Sequence, residues 1–274
     1  CNCTANLLYW LLVIPPTVSP LEESIDTTQL PKLTKRTLVD DFIQRFEQLI
    51  LSGKLQVGEQ LPSERDLAAR LGVSRPVVHE GLIDLAAKGL VSRSSRGGAV
   101  VNDFRKTGSL AMLNSILNYE QGIPGPQLAE SLLAFRFLVE VENARLAARN
   151  RTEENLREFR ELLSEEAALL ARASSQEPTE VSSISTLDFR FHHLVSLATG
   201  NLFYPLLINS CKPFYIFNVS LFYAVPGMMP VVFDFHTRLV EAITAGDENQ
   251  SAQIMHSMLE HGQKAYQDLI SNPK

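Results

Sequence analysis

With 274 residues, 45% hydrophobic and 20% charged, the chain can bury two modest cores and is too apolar for wholesale disorder. A formal net charge of −6 argues against a polyanionic partner, yet the charge is divided along the chain. Residues 32–106 hold 13 Lys and Arg against 9 Asp and Glu, and residues 107–274 hold 12 against 19, so a front half able to meet DNA precedes an acidic back half. Cys1, Cys3 and Cys211 offer no disulfide framework, which fits a reducing cytoplasm. The apolar run Leu7 to Ile14 stops at Pro15-Pro16, short of the ~20 residues a membrane span needs, and lacks the basic flank of a signal peptide. Residues 1–30 carry no helical period and are expected to be a poorly ordered extension.

Leu38, Phe42, Phe46, Leu49 and Ile50 are spaced as one face of an amphipathic helix that ends near Ser52-Gly53. In Leu61-Pro62-Ser63-Glu64-Arg65-Asp66-Leu67, Ser63 is placed to cap a short second helix, with acidic residues in its first turn and Gly72 at its end. Ser74 is then expected to cap a third helix with Pro76 in its first turn and Val78, Leu82 and Leu85 as its buried stripe. The connection Leu71-Gly72-Val73-Ser74 has the length of a helix-turn-helix turn. Leu90-Val91 and Ala99-Val100-Val101 bracket Ser94 to Gly98 as a small hairpin, in the position of a wing. Beyond Asp103 the pattern is helical, and helices are expected near 107–120, 126–150, 152–174, 181–199, 202–223, 229–245 and 248–270.

A major groove admits one helix, whose N-terminal side chains reach base edges while neighbouring elements hold phosphates. On the third helix Ser74, Arg75, Val77 and His79 lie opposite the buried stripe. Arg75 suits a bidentate pair with guanine, and Ser74 at the helix N-terminus suits a phosphate. Arg65, together with Arg96 and Gly97 at the wing tip, completes the set; as an alternative, these arginines are ordinary solvated side chains.

Asp188 and His192 are four apart on one helix, so a carboxylate and an imidazole project from the same face, as a divalent metal site requires. A polar helix pair in a metal-free pocket explains the same spacing. Arg136 has Glu140 one turn along as a partner. Tyr215, Phe222 and Tyr223 can line a cavity or simply be core.

Gly58 to Ala68, Leu71 to Val78 and Gly89-Leu90-Val91 closely resemble the signature of the GntR family of winged helix-turn-helix regulators. Two positions depart from it: His79 stands where the family usually has an arginine, and Arg96-Gly97-Gly98 replaces the usual Gly-basic-Gly wing tip. The helices behind resemble the FadR branch, whose C-terminal domain is an antiparallel helical bundle around a ligand cavity.

The resemblance implies a mainly α protein with a winged helix-turn-helix at 31–102, a linker at 103–110 and a bundle of about seven helices at 111–272 that binds effector and dimerises. It implies a homodimer on a short inverted repeat of operator DNA, acting as a repressor released by a small organic acid or acyl-CoA. It assigns Arg136, with Tyr215 and Met258, to the effector. Asp188, His192 and His236 are assigned to one Zn or Ni ion, while Met258 stands where relatives place a further histidine and His256 and His261 are displaced from it. Alternatives from other classes are a metal-dependent hydrolase built on Asp188, His192 and His236, and a DNA-binding protein that takes no ligand.

Overall fold

A computed structural model of the chain describes residues 37–93, 98–119, 126–174, 181–223, 225 and 227–271. The extension at 1–30 and the wing tip with Arg96 and Gly97 lie outside the described residues.

The front domain begins with α1, Leu38–Leu51, whose Phe42 and Phe46 rings stack at 4.4 Å between centroids and are buried with Ile50. In α2, Glu64–Leu71, the Ser63 hydroxyl accepts from the Asp66 N–H, and Gly72 ends the helix at φ 67°, a conformation open to glycine without strain. Helix α3, Arg75–Ala87, buries Val78, Leu82 and Leu85 on the stripe its spacing predicts. Ser74 takes the extended N-cap backbone but makes no side-chain cap bond, contrary to the sequence expectation. Pro76 supplies no N–H, so the first turn has one fewer donor for a cap to satisfy. Strands β1, Val91–Arg93, and β2, Ala99–Val101, pair antiparallel with Val91 opposite Val101, and close the core over Leu61 and Leu90.

The helix expected at 107–120 is two short helices, α4, Phe104–Thr107, and α5, Met112–Tyr119. The chain between them turns back because its polar groups finish α3. Ser109 donates its N–H to Lys88 O and its hydroxyl to Ala87 O, while Thr107 Oγ1 and Asn102 Nδ2 both donate to Gly89 O. These are the carbonyls that a helix end leaves unsatisfied. Met112 and Ile116 of α5 then pack into the front core, although the sequence placed residue 111 onward with the back domain.

Seven further helices form the back domain: α6, Pro126–Asn150; α7, Glu153–Ser174; α8, Val181–Ala198; α9, Phe203–Ser210; α10, Lys212–Tyr223; α11, Met228–Ala245; and α12, Glu248–Ser271. The single helix expected at 202–223 is broken at Cys211, whose N–H is shared between Leu207 O and Ile208 O. Pro213 has no N–H to continue the ladder, and its ring excludes the carbonyl one turn back. Helix α6 packs along α12, and α8 is sandwiched among α6, α7 and α10 with eleven buried residues. Its burial on nearly all sides puts Asp188 and His192 at the centre of the bundle. Among the described residues no helix is long and apolar enough to cross a membrane.

Gly89 connects α3 to β1 at φ 81°, where an added Cβ would stand 2.0 Å from Thr107 O. Both the backbone region and the clash with main chain penalise any side chain, so Gly89→Ala is expected to destabilise the front domain by about 2 kcal/mol or more. Urea unfolding of the full chain followed by far-ultraviolet circular dichroism checks the value.

Candidate functional site

Helix α3 presents its N-terminal turn with Ser74 and Arg75 exposed and Val77 and His79 half-buried. Val77 packs partly on the core, so of the four it offers the least to DNA. Arg65 on α2 is exposed beside Asp66. Sequence reasoning missed two residues here. Glu64, only 8% exposed at its side chain, accepts from Arg75 Nε at 3.2 Å and meets His79 Nδ1 at 2.9 Å, and Arg93 of β1 reaches it at 3.3 Å. The hydrogen bond from His79, and after burial that from Arg75, holds the Glu64 carboxyl below its ordinary range. The signal for Glu64 was weak, because an acidic residue in a first turn is common on dipole grounds alone.

In the back domain five helices send polar side chains to one buried cluster. Asp188 and His192 of α8 and His236 of α11 bring one potential ligand atom each to within 4.8 Å of one another, and all three residues are buried. Around them stand Arg136 and Glu140 of α6, Glu166 of α7, and Tyr215 and Tyr223 of α10. His236 Nδ1 donates to Glu166 Oε1 at 2.7 Å, and its ring stacks on Phe191 at 3.6 Å, so the imidazole cannot rotate freely. His192 Nδ1 stands in ion-pair contact with Glu140 Oε2 without forming a well-aligned hydrogen bond. With both Nδ1 atoms directed at carboxylates, the Nε2 atoms are the remaining ligand positions. His236 Nε2 is buried without a hydrogen-bond partner, 3.7 Å from Asp188 Oδ1.

Tyr223 and Tyr215 donate to the two oxygens of Asp188 at 2.7 and 2.6 Å. Burial, with the Asp188 carboxylate adding to it, pushes both phenols well above their usual range, so they stay donors. Arg136 donates from Nε to Glu140 at 2.6 Å and from Nη2 to Tyr215 at 3.0 Å. Burial alone would raise the Glu140 carboxyl, but Arg136 and then His192 outweigh it and bring the group down to about 2. Glu166 goes the other way, since burial raises it and His236 offsets only part.

A cavity of about 60 Å³ opens against this cluster, lined by Arg136, Asp188, His192, Phe222, Val232 and Met258 among others. On a scale where one water takes ~10–15 Å³, it holds four to six water-sized groups. Tyr215 and Tyr223, expected along such a cavity, act instead through their hydroxyls on Asp188, and Tyr215 also through Arg136. His261 Nε2 is buried and unpartnered, with its ring against Phe222 and Phe235, while His256 is exposed with its ring edge-on to Phe137.

The donor set fits a divalent ion: two imidazoles oriented by carboxylates and one carboxylate, with an unpartnered buried nitrogen pointing between them. Glu140 and Glu166, the residues that orient the imidazoles, were assigned no role at the site from sequence. Each lies on the core-facing stripe of its helix, Glu166 in line with Phe159 and Leu162, and that misplaced charge was the available signal.

A winged helix-turn-helix joined to a helical bundle, with a cavity that opens against a buried polar cluster, is the architecture of a DNA-binding transcription regulator. Residues 38–101 match the bacterial regulatory proteins of the gntR family, and residues 131–261 match the FCD domain. The chain belongs to the GntR family. It is 31% identical over 231 residues to the HTH-type transcriptional regulator Mce2R of Mycobacterium tuberculosis, covering 84% of this chain and 92% of that one. It is 26% identical over 216 residues to the fatty acid metabolism regulator protein of Yersinia enterocolitica, covering 79% of this chain and 84% of that one. The fold is shared with the solved structure accompanying the finding that Lar controls expression of the Listeria monocytogenes agr system. That match has a TM-score of 0.51 at 17% identity, with 86% of this chain and 100% of that chain covered.

Because the Glu140 carboxyl titrates near 2 in the fold against an ordinary 4.5, its stabilisation is complete above about pH 4.5 and is lost as pH falls toward 2. Glu140→Gln leaves the Arg136 guanidinium buried without its anion and is expected to cost about 3–5 kcal/mol near neutral pH. Thermal melts at stepped acid pH test both parts: the variant starts lower and lacks this component of the acid loss.

Proposed function

We propose that the chain is a homodimeric repressor that reads a short inverted repeat with α3 and is released when a small carboxylic acid enters the cavity of the back domain. The convergence of Asp188, His192 and His236 beside Arg136 carries this reading. A zinc or nickel ion held by those three ligands would keep open positions, because Met258 offers only a thioether, a poor ligand for such an ion. One end of the acid would complete the coordination while Arg136, 13% exposed at its side chain, receives polar atoms at the other. Four to six water-sized groups suit a short hydroxy or keto acid, and an acyl-CoA is far larger.

On DNA, Arg75 would read a base and Ser74, with its uncapped hydroxyl, a phosphate. Arg65 and the wing residues Arg96 and Gly97 would hold backbone, with Val77 and His79 completing the helix surface. A homodimer is supported by size, since one small reading head buries too little surface for specific affinity.

A route of packing and hydrogen bonds would join sensor to reader. Helix α10, whose tyrosines hold Asp188, touches α5; Ser115 of α5 donates to Glu47 of α1 at 2.6 Å; and Glu47 accepts from Lys88 at the end of α3 at 2.8 Å. Ligand that shifts α10 would move α5 and with it the end of the reading helix.

Three results are expected. Arg75→Ala weakens binding to the selected operator duplex by about 1–3 kcal/mol and relaxes one base position per half-site, read by fluorescence anisotropy. Protein purified without chelator or affinity-tag metal retains zinc or nickel by elemental analysis. His192→Ala abolishes this retention and Met258→His strengthens it, and absence of metal from wild type at every pH would remove the metal part of the reading. Ser115→Ala leaves basal DNA affinity near wild type but shrinks the factor by which a saturating short acid weakens it.

A further inference from the structure

Three solvent-facing ionisable groups of the reading head are tied to one another through a single buried anion. Glu64 opens α2 and turns its carboxylate inward under α3, where Oε2 takes Arg75 Nε and Oε1 takes both His79 Nδ1 and Arg93 Nη2. The three partners remain 72%, 45% and 44% exposed at their side chains, so each has one edge on the anion and the rest toward solvent. A carboxylate with three such partners is acceptor-only, and donation to it requires the His79 proton to sit on Nδ1. Nε2, across the ring, then faces away from Glu64.

That geometry makes His79 a reader with two states. Neutral, its Nε2 presents a lone pair, which repels a phosphate oxygen and suits only a donor on a base edge. Protonated, the same atom presents an N–H and a positive charge, which suit a phosphate or the acceptors of guanine. We propose that Glu64 and His79 form a proton-linked DNA reader: Glu64 positions the imidazole, and operator binding takes up a proton on His79. Glu64 is a positioning residue here, and the inference rests on α3 being the reading helix.

The charged groups around the ring set the sign. Glu64 from α2 favours the imidazolium at 2.9 Å, and Arg93 from β1 opposes it with Nη2 3.4 Å from the same nitrogen. Arg75, from the first turn of α3 itself, shares the other carboxylate oxygen and draws off part of that charge. DNA brings phosphates to the open side of the ring. Bound DNA therefore stabilises the protonated ring, and by linkage affinity rises as pH falls through the imidazole range. Each protonated reading head also releases one more counterion, so the dependence on salt steepens by about 0.9 per head.

The test uses the full chain and a duplex recovered by it from a random-sequence library at about pH 8, with anisotropy titrations from about pH 5.5 to 8 at several salt concentrations. Wild type is expected to bind roughly tenfold more tightly at the acid end, with the steeper salt slope there. His79→Gln, a change at a half-exposed side chain, should show a flat profile over the same range, and His79→Arg should bind tightly at every pH. Glu64→Gln should move the wild-type inflection to lower pH, because the anion that favours the imidazolium is gone. Profiles of wild type and His79→Gln that run parallel would overturn the proposal, and an unmoved inflection in Glu64→Gln would remove Glu64 from it. Failure to recover any duplex from the library would instead strike at the assignment of α3 as the reader, so the two failures are told apart.

Discussion

A carboxylate taken out of water must be met by a cation or by several donors, and this chain imposes that requirement at Glu47, Glu64, Glu140 and Glu166, all nearly inaccessible. At each place the side chains that satisfy the acid include those to which the proposed function gives a role. Glu64 gathers Arg75, His79 and Arg93; Glu47 gathers Lys88 and Ser115; Glu140 gathers Arg136 and His192; and Glu166 orients His236. Apolar packing shapes two cores, but it leaves rotation and register loose for polar groups. The buried acids supply what packing lacks, because a charge in a poorly screened interior makes misorientation expensive.

Unmet polar groups also govern how the chain leaves the front domain. The last carbonyls of α3 have no helical partners and are capped by Asn102 and by Thr107 and Ser109 of the linker. Lys88, at that helix end, is raised above its ordinary range: burial works against it, but Asp84 and then Glu47 more than compensate. Its ammonium therefore stays charged where it joins α1 to α3. The linker is thereby bonded to the end of α3, so in the proposed mechanism a displacement of α5 would act directly on that helix end.

Periodicity and punctuation made the front domain legible. The stripe of Val78, Leu82 and Leu85, the Ser63 cap and the Gly72 stop each report local physics that a linear sequence displays. Asp188 and His192 were legible because a spacing of four puts both on one helical face. The break at Cys211 was announced by Pro213, yet the apolar run through it read as continuous. The Arg136–Glu140 pair was legible at a spacing of four, but the contact of Glu140 with His192, and the roles of Glu166 and Arg93, were obscured for a different reason. Their roles depend on partners from distant parts of the chain, as Glu166 with His236 shows, and no local pattern encodes which helices will face each other. A charged residue on an apolar stripe is the trace such partnerships leave, and on α6 Arg136, Glu140 and Asn143 mark three successive turns in that way.

Charge in the sensor cavity bears on the order of events in the proposed mechanism. Glu140, Glu166 and Asp188 stand against one guanidinium, Arg136, whose own charge is already engaged by Glu140. An organic acid entering the cavity would therefore meet the Asp188 carboxylate among mostly apolar walls, with the one guanidinium already engaged. A divalent ion held by Asp188, His192 and His236 reverses that, since it supplies the largest local charge in the site and a coordination position for a carboxylate. The cation would then precede the effector, and Arg136 would align an acid that the ion has attracted. The two tyrosines fit this order, because hydroxyls held on Asp188 keep the carboxylate fixed before any ion arrives, so binding requires little rearrangement of α8 and its effect can pass to α10.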